Sequence, residues 1–202
     1  MRLFVFARHA ESTLNHENRV NGDPAVPAPL TEHGREQARL LGLELRGLPL
    51  DAAVHTRFGR TLETARLVLE GRDVPLHELQ AFDDIDIGEL EGQTIDDYRA
   101  WKREHTRSDA FPGGESLDDA ARRYAEAYRE LLEQRFECAL VVCHEIPIRY
   151  ALNVLGGSDD LDAPVHSIAN AMPFLLDGEA VARAADGIDA LASAVSGTRS
   201  RR

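Results

Sequence analysis

Two stretches constrain the fold of this chain more than any others. Leu3-Phe4-Val5-Phe6-Ala7 is uniformly apolar, then turns abruptly polar at Arg8-His9. Ala139-Leu140-Val141-Val142-Cys143 repeats that form and ends on His144. Short unbroken apolar runs read as strands buried on both faces, as in parallel sheets covered by helices. Open α/β sheets bind their ligands beyond the carboxyl ends of the strands. One strand ending in Arg-His would also suit a solvated surface. Two such strands, each delivering a histidine, predict two imidazoles facing one crevice.

Between and after these runs the chain alternates. Ser12 to Pro29 is polar and closes on Pro24, Pro27 and Pro29, so it reads as a loop. Thr31 is positioned to cap a helix whose stripe is Ala38, Leu41, Leu45 and Leu48, stopped by Gly47 and Pro49. A strand over 51–55 follows, then a helix from Arg57 to Leu69 with Thr56 as cap, and an edge strand over 74–79. Residues 80–114 carry Asp83, Asp84, Asp86, Glu89 and Glu91, and a helix opening at Thr94 with Asp97 in capping-box position. We read them as a small helical insertion over the sheet edge. Ser116 caps a long helix to Gln134, and the strand 138–143 precedes a helix beginning near Pro147. A late strand pair is expected over 166–170 and 173–176. From Asp186 the chain turns Ala/Ser/Gly-rich and reads as a flexible tail, 186–202. The expectation is one domain, residues 1–185, a three-layer α/β/α fold with a mostly parallel central sheet.

A formal net charge of −12 argues against nucleic-acid and anionic-membrane partners, which call for a basic face. No apolar run reaches the length of a membrane span, and the first residues lack a basic start and long apolar core, so a cytoplasmic protein is expected. Cys138 and Cys143 bracket one strand and point to opposite faces, so they do not pair with each other. With no HxH or HxxxH pair and no CxxC, neither a metal nor a cofactor is implied. The sequence leaves monomer and homodimer both open.

Six segments, in order, resemble the histidine phosphatase superfamily, the phosphoglycerate-mutase-like proteins. They are Arg8-His9-Ala10-Glu11-Ser12, Leu30-Thr31-Glu32-His33-Gly34 and Thr56-Arg57-Phe58-Gly59-Arg60-Thr61-Leu62-Glu63-Thr64-Ala65. Asp84-Ile85-Asp86-Ile87-Gly88-Glu89-Leu90-Glu91-Gly92, Phe111-Pro112-Gly113-Gly114-Glu115-Ser116 and Val141-Val142-Cys143-His144 complete the series. The resemblance implies a phosphoglycerate-mutase-like fold and phosphoryl transfer through a phosphohistidine on His9. It makes Arg8 and Arg60 the grip on the phosphoryl oxygens, His144 a further donor, and Asp84 the proton donor. Asn15 and Asn21 become substrate-binding donors, with Ser12 and Glu145 bordering the substrate.

The residues fit that chemistry. A neutral imidazole is nucleophilic near neutral pH if its second nitrogen is held by an acceptor. Guanidinium forks suit a transferring phosphoryl group, and one carboxyl group can first give and then take a proton. Three departures from the family pattern stand out: Ala10 and Glu145 each replace a common glycine, and Asp84 replaces a common glutamate. Glu145 is expected either to raise the proton affinity of His144 or to repel a more anionic substrate. Arg57 rivals Arg60, and Asp83 and Asp86 rival Asp84. The basic run Arg99, Lys102, Arg103, Arg107 reads as a wet helix face or as an outer grip on an anionic substrate. The expected activity is hydrolysis of a small phosphorylated metabolite; mutase-type transfer and silent binding of a phosphorylated ligand are the alternatives.

Overall fold

The computed structural model describes residues 2–194. The first apolar run forms β1, Leu3–Arg8, and the second forms β4, Cys138–Cys143. They pair in parallel, Leu3 opposite Cys138 and Arg8 opposite Cys143. β2, Ala52–His55, pairs with β4 and with β3, Leu76–Glu78, also in parallel. β5, Pro173–Asp177, closes the other edge antiparallel to β1, giving the order β3-β2-β4-β1-β5.

Strand alternation divides the core into two layers. Val5, Ala7, Leu140 and Val142 pack against Ala38 and Leu41 of α2 (Glu32–Glu44) and Ala65 and Val68 of α3 (Gly59–Val68). Phe4, Phe6, Val141 and Cys143 face the other way, toward α5 (Leu117–Glu133), α6 (Glu145–Leu155) and α7 (Gly178–Ala194). Cys138 belongs to the first layer and Cys143 to the second, both as free thiols. The two short helices α1 (Thr13–His16) and α4 (Ile95–Glu104) lie in the connections after β1 and β3.

This connectivity makes the crevice. The chain leaves β1 toward α2 on one face, and leaves the neighbouring β4 directly into α6 on the other. Adjacent strands whose connections part to opposite faces leave a cleft at their carboxyl ends. Thr31 caps α2 as expected, accepting from the Gly34 N–H at 2.9 Å. Gly34 seats that helix end closely on the loop after β1, since a Cβ there would lie 2.1 Å from the Glu11 carbonyl oxygen.

Several expectations are corrected. Residues 166–170 form no strand; the His166 carbonyl accepts from Arg149 and Asn170 donates to the His9 carbonyl just past β1, so β5 has no partner there. Thr56 does not cap α3, whose N-cap is Phe58 without a side-chain bond; the Thr56 hydroxyl turns to Thr61 and His144. α6 begins at Glu145, with His144 as its N-cap, two residues earlier than the proline suggested. The tail assignment fails over 186–194: these residues continue α7, with Ile188 and Ala192 fully buried against the second core layer. Alanine is the best helix former, and the same composition that reads as a tail packs closely between helices. The remainder of that expected tail lies outside the described residues.

Truncating Ile188 to alanine is therefore expected to cost about 2–5 kcal/mol in urea unfolding, as for other large-to-small core changes. A tail position would leave the midpoint unmoved.

Candidate active site

β1 delivers Arg8 and then His9, which is 2 % exposed. The His9 ring is fixed from both sides. Nδ1 lies 2.8 Å from the Ala10 carbonyl oxygen, and Nε2 accepts from Arg60 Nε at 3.0 Å. A guanidinium only donates, so the proton sits on Nδ1 and the Nε2 lone pair faces Arg60. Asn170 donates to the His9 carbonyl at 2.7 Å, and Thr64 on α3 accepts from the Ala10 N–H at 3.0 Å. Burial holds the His9 proton affinity well below the ordinary imidazole value, and the nearby charges of Arg60, His144 and Arg8 lower it further. His9 is therefore neutral near pH 7.

Arg60 is the hub. It stands in the first turn of α3, 4 % exposed, its guanidinium carbon 4.2 Å from the Phe58 ring centroid. Besides His9 it donates to the Asn21 side chain, to the Asn21 carbonyl at 3.2 Å and to Asp84 Oδ2 at 3.1 Å. His144, at the end of β4, is fully buried. Its Nδ1 lies 3.3 Å from Asp84 Oδ2 and its Nε2 3.0 Å from Thr56 Oγ1. The two imidazoles meet edge to face, 5.4 Å between centroids, as the two strands predicted. Burial lowers the proton affinity of His144; Asp84 works the other way, and Arg60 adds to the lowering. For Asp84, burial favours the neutral acid, but His144 and then Arg60 outweigh it and hold the carboxyl below its usual range.

These groups open into one cleft at the carboxyl ends of β1 and β4. Arg8, His9, Ser12, Asn15, Asn21, Arg60, Asp84 and Glu145 all line it, and His144 stands just behind Asp84 and Arg60. Ser12 and Asn15 also form a reciprocal cap on α1, so their polar groups are partly spent on the helix end. Asn21 is braced by Glu91, which accepts from the Asn21 amide at 2.8 Å and from the Gly22 and Asp23 N–H groups.

Geometry separates the rivals. Arg57 is 43 % exposed and paired with Asp83, and both border a neighbouring cleft. Asp86 is exposed and bonds the Gly88 N–H. It is Asp84 that reaches His144 and Arg60. Glu145 corrects one expectation: it turns to Arg8 at 2.6 Å and to Arg149 at 3.5 Å rather than to His144. The basic run divides, because Lys102 lines the cleft and Arg107 is anchored by Asp118 and Asp162, while Arg99 and Arg103 are exposed. Sequence reasoning missed Thr56, Asn170, Tyr98 and Arg149. Of these, Arg149 left a signal, one helical turn after Glu145.

The sequence profile of the histidine phosphatase superfamily (branch 1) matches residues 4–188. A 2,3-bisphosphoglycerate-dependent phosphoglycerate mutase 2 of Gloeobacter violaceus is 36 % identical over 167 residues, covering 75 % of this chain and 74 % of that protein. An adenosylcobalamin/alpha-ribazole phosphatase of Salmonella typhimurium is 34 % identical over 156 residues, covering 72 % and 74 %. Among solved structures, the alpha-ribazole phosphatase from Shigella flexneri superposes with a TM-score of 0.75 at 25 % identity, over 87 % of this chain and 90 % of that one. Among the described residues no helix is long and apolar enough to cross a membrane.

The buried histidines make stability depend on pH. His9 and His144 both bind protons less readily in the fold than the ordinary 6.5. Below about pH 6.5 the unfolded chain takes up protons that the native one refuses, so stability falls as pH falls. Unfolding free energies from urea titrations are expected to drop between pH 7 and pH 5, by up to about 1.4 kcal/mol per pH unit for each histidine. A His9→Asn variant should show a shallower dependence.

Proposed function

We propose that this chain, which belongs to the histidine phosphatase superfamily, hydrolyses small phosphomonoesters through a phosphohistidine on His9. The observation that carries the reading is the Nε2 lone pair of a neutral, tautomer-fixed His9, held beside a buried arginine, with a second histidine and a carboxyl group adjoining. A neutral imidazole so fixed is a competent nucleophile.

In the first step Nε2 attacks phosphorus, the N–P bond forms, and the bond from phosphorus to the leaving oxygen breaks. Arg60, Arg8 and His144 stabilise the charge on the transferring group's three outer oxygens. Arg8 keeps a donor for this: its Nη1 bonds Glu145 and the Ile168 carbonyl, while its buried Nε has no acceptor among the described protein groups. Asp84 gives its proton to the leaving alkoxide. The phosphate dianion prepares this step by drawing Arg60 and His144 toward itself, which restores proton affinity to Asp84. In the second step Asp84, now a carboxylate, takes a proton from water as that water attacks phosphorus and the N–P bond breaks. Inorganic phosphate leaves and His9 returns to its starting tautomer.

Mutase-named relatives at 36 % identity make phosphoryl return to the substrate the competing reading. It requires a bisphosphate primer and yields no net phosphate.

Phosphate release from 4-nitrophenyl phosphate in the presence of chelator is the direct assay. His9→Ala is expected to lower kcat by more than about 10³-fold and to abolish the acid-labile phosphoenzyme, as loss of a nucleophile does. Release surviving in that variant would sink the nucleophile; transfer dependent on a bisphosphate, without free phosphate, would establish the mutase.

The proton-donor role has its own signature. Nitrophenolate leaves without help and an alkoxide does not. Asp84→Asn should therefore lower kcat/KM for an alkyl phosphate by about 10²–10⁴-fold, and by far less for the nitrophenyl ester. Equal losses on both esters would reduce Asp84 to a charge that positions Arg60.

A further inference from the structure

The wall of the cleft beyond the phosphoryl pocket tells what leaving group it takes. Four cations line the cleft outside Arg60: Arg8, Arg19, Lys102 and Arg149. Each lies within 4 Å of a carboxylate. Arg8 pairs with Glu145 at 2.6 Å and Arg149 with Asp162 at 2.7 Å; Arg149 also lies 3.5 Å from Glu145. Lys102 is 3.9 Å from Asp162, and Arg19 is 3.6 Å from Glu17. Asp162 also serves Arg107, and the buried Nε atoms of Arg8 and Arg149 have no acceptor among the described protein groups, so the chain answers most but not all of the positive charge that would otherwise meet a second anionic group. Two of these pairings run through Glu145, which itself lines the cleft. The rest of the lining includes Val20, Ile85, Ile87 and Ile95, together with the Tyr98 ring.

We propose that the alcohol part of the substrate is apolar and carries no anionic group, and that Glu145 enforces this as a specificity-determining residue. An anionic group on the alcohol would leave water for cations that already have carboxylate neighbours, and would approach the Glu145 carboxylate as a like charge. Such juxtapositions are how sites reject wrong partners. An apolar body instead gains the burial of the isoleucine-lined surface. The inference rests on the phosphatase reading, since it assigns the leaving group of that reaction. On this reading a bisphosphate primer would be a poor occupant.

A matched pair of esters tests it: 4-carbamoylphenyl phosphate and 4-carboxyphenyl phosphate are of like size and differ in charge. The wild-type chain is expected to favour the carbamoyl ester by about tenfold or more in kcat/KM, an ordinary size for discrimination by one charge. Glu145→Gln should bring that ratio close to one or invert it. Because both esters share the phosphoryl group, any disturbance of Arg8 in the variant cancels in the ratio. Equal rates, or preference for the carboxylate ester, in the wild type would overturn the inference while leaving the phosphatase reading standing. A preference unchanged by Glu145→Gln would remove Glu145 from it. If neither ester gives His9-dependent phosphate, the phosphatase reading fails. Calorimetric binding of the two esters to the His9→Ala chain then decides the inference, tighter binding of the carbamoyl ester upholding it and equal or reversed affinity overturning it.

Discussion

One buried guanidinium holds the site together. Arg60 touches His9, Asn21, Asp84 and His144 at once, bringing together groups carried by β1, the loop after α1, the acidic segment and β4. A buried cation is costly unless it is fully engaged. The fold meets that requirement with the Asp84 carboxylate, the Asn21 amide and the Phe58 ring, and the same engagements set the His9 tautomer. The proposed nucleophile, acid and phosphate grip are therefore not independent parts. The charge that would grip the phosphoryl group adds to the burial that keeps the empty-handed imidazole neutral, and joins His144 in holding Asp84 ionised.

Much of this was legible in the sequence, and for identifiable reasons. The strands β1 and β4 announce themselves because a doubly covered strand needs both faces apolar, and their polar ends fall at the cleft by the geometry of parallel sheets. The caps at Thr31, Thr94 and Ser116 were readable because capping is local chemistry. What escaped was non-local. Thr56 looks like a cap in one dimension, but its partner His144 lies 88 positions away. Glu145 reads as a neighbour of His144, yet a helix start points successive side chains apart, and it meets Arg8 across the strand pair. Residues 186–194 read as a tail because a small-residue helix carries no bulky stripe, and its burial depends on helices elsewhere in the chain.

The acidic segment also differs from its appearance in sequence. Its carboxylates are mostly occupied rather than forming a solvated acidic loop. Glu91 braces the Asn21 turn, Asp83 holds Arg57, and Glu115 pairs with Arg123 while accepting the Asp86 N–H. A formal net charge of −12 thus coexists with a cleft built around arginines, because the negative charge is distributed as supports behind and beside them. Global charge speaks to non-specific partners; the site is decided by which carboxylates face inward.

The sheet order has a consequence for how the protein comes into being. β1 is made first, yet both of its neighbours, β4 and β5, belong to the last third of the chain. During synthesis a strand of pure hydrophobic character waits with both edges unpaired while well over a hundred residues emerge. Its register partners, Leu3 and Cys138, are 135 positions apart, the difference of their numbers, and such closures are slow. Nascent chains of this kind are the ones that invite edge-to-edge pairing and lean on chaperones. The platform on which His9 stands exists only when β4 and β5 have joined β1.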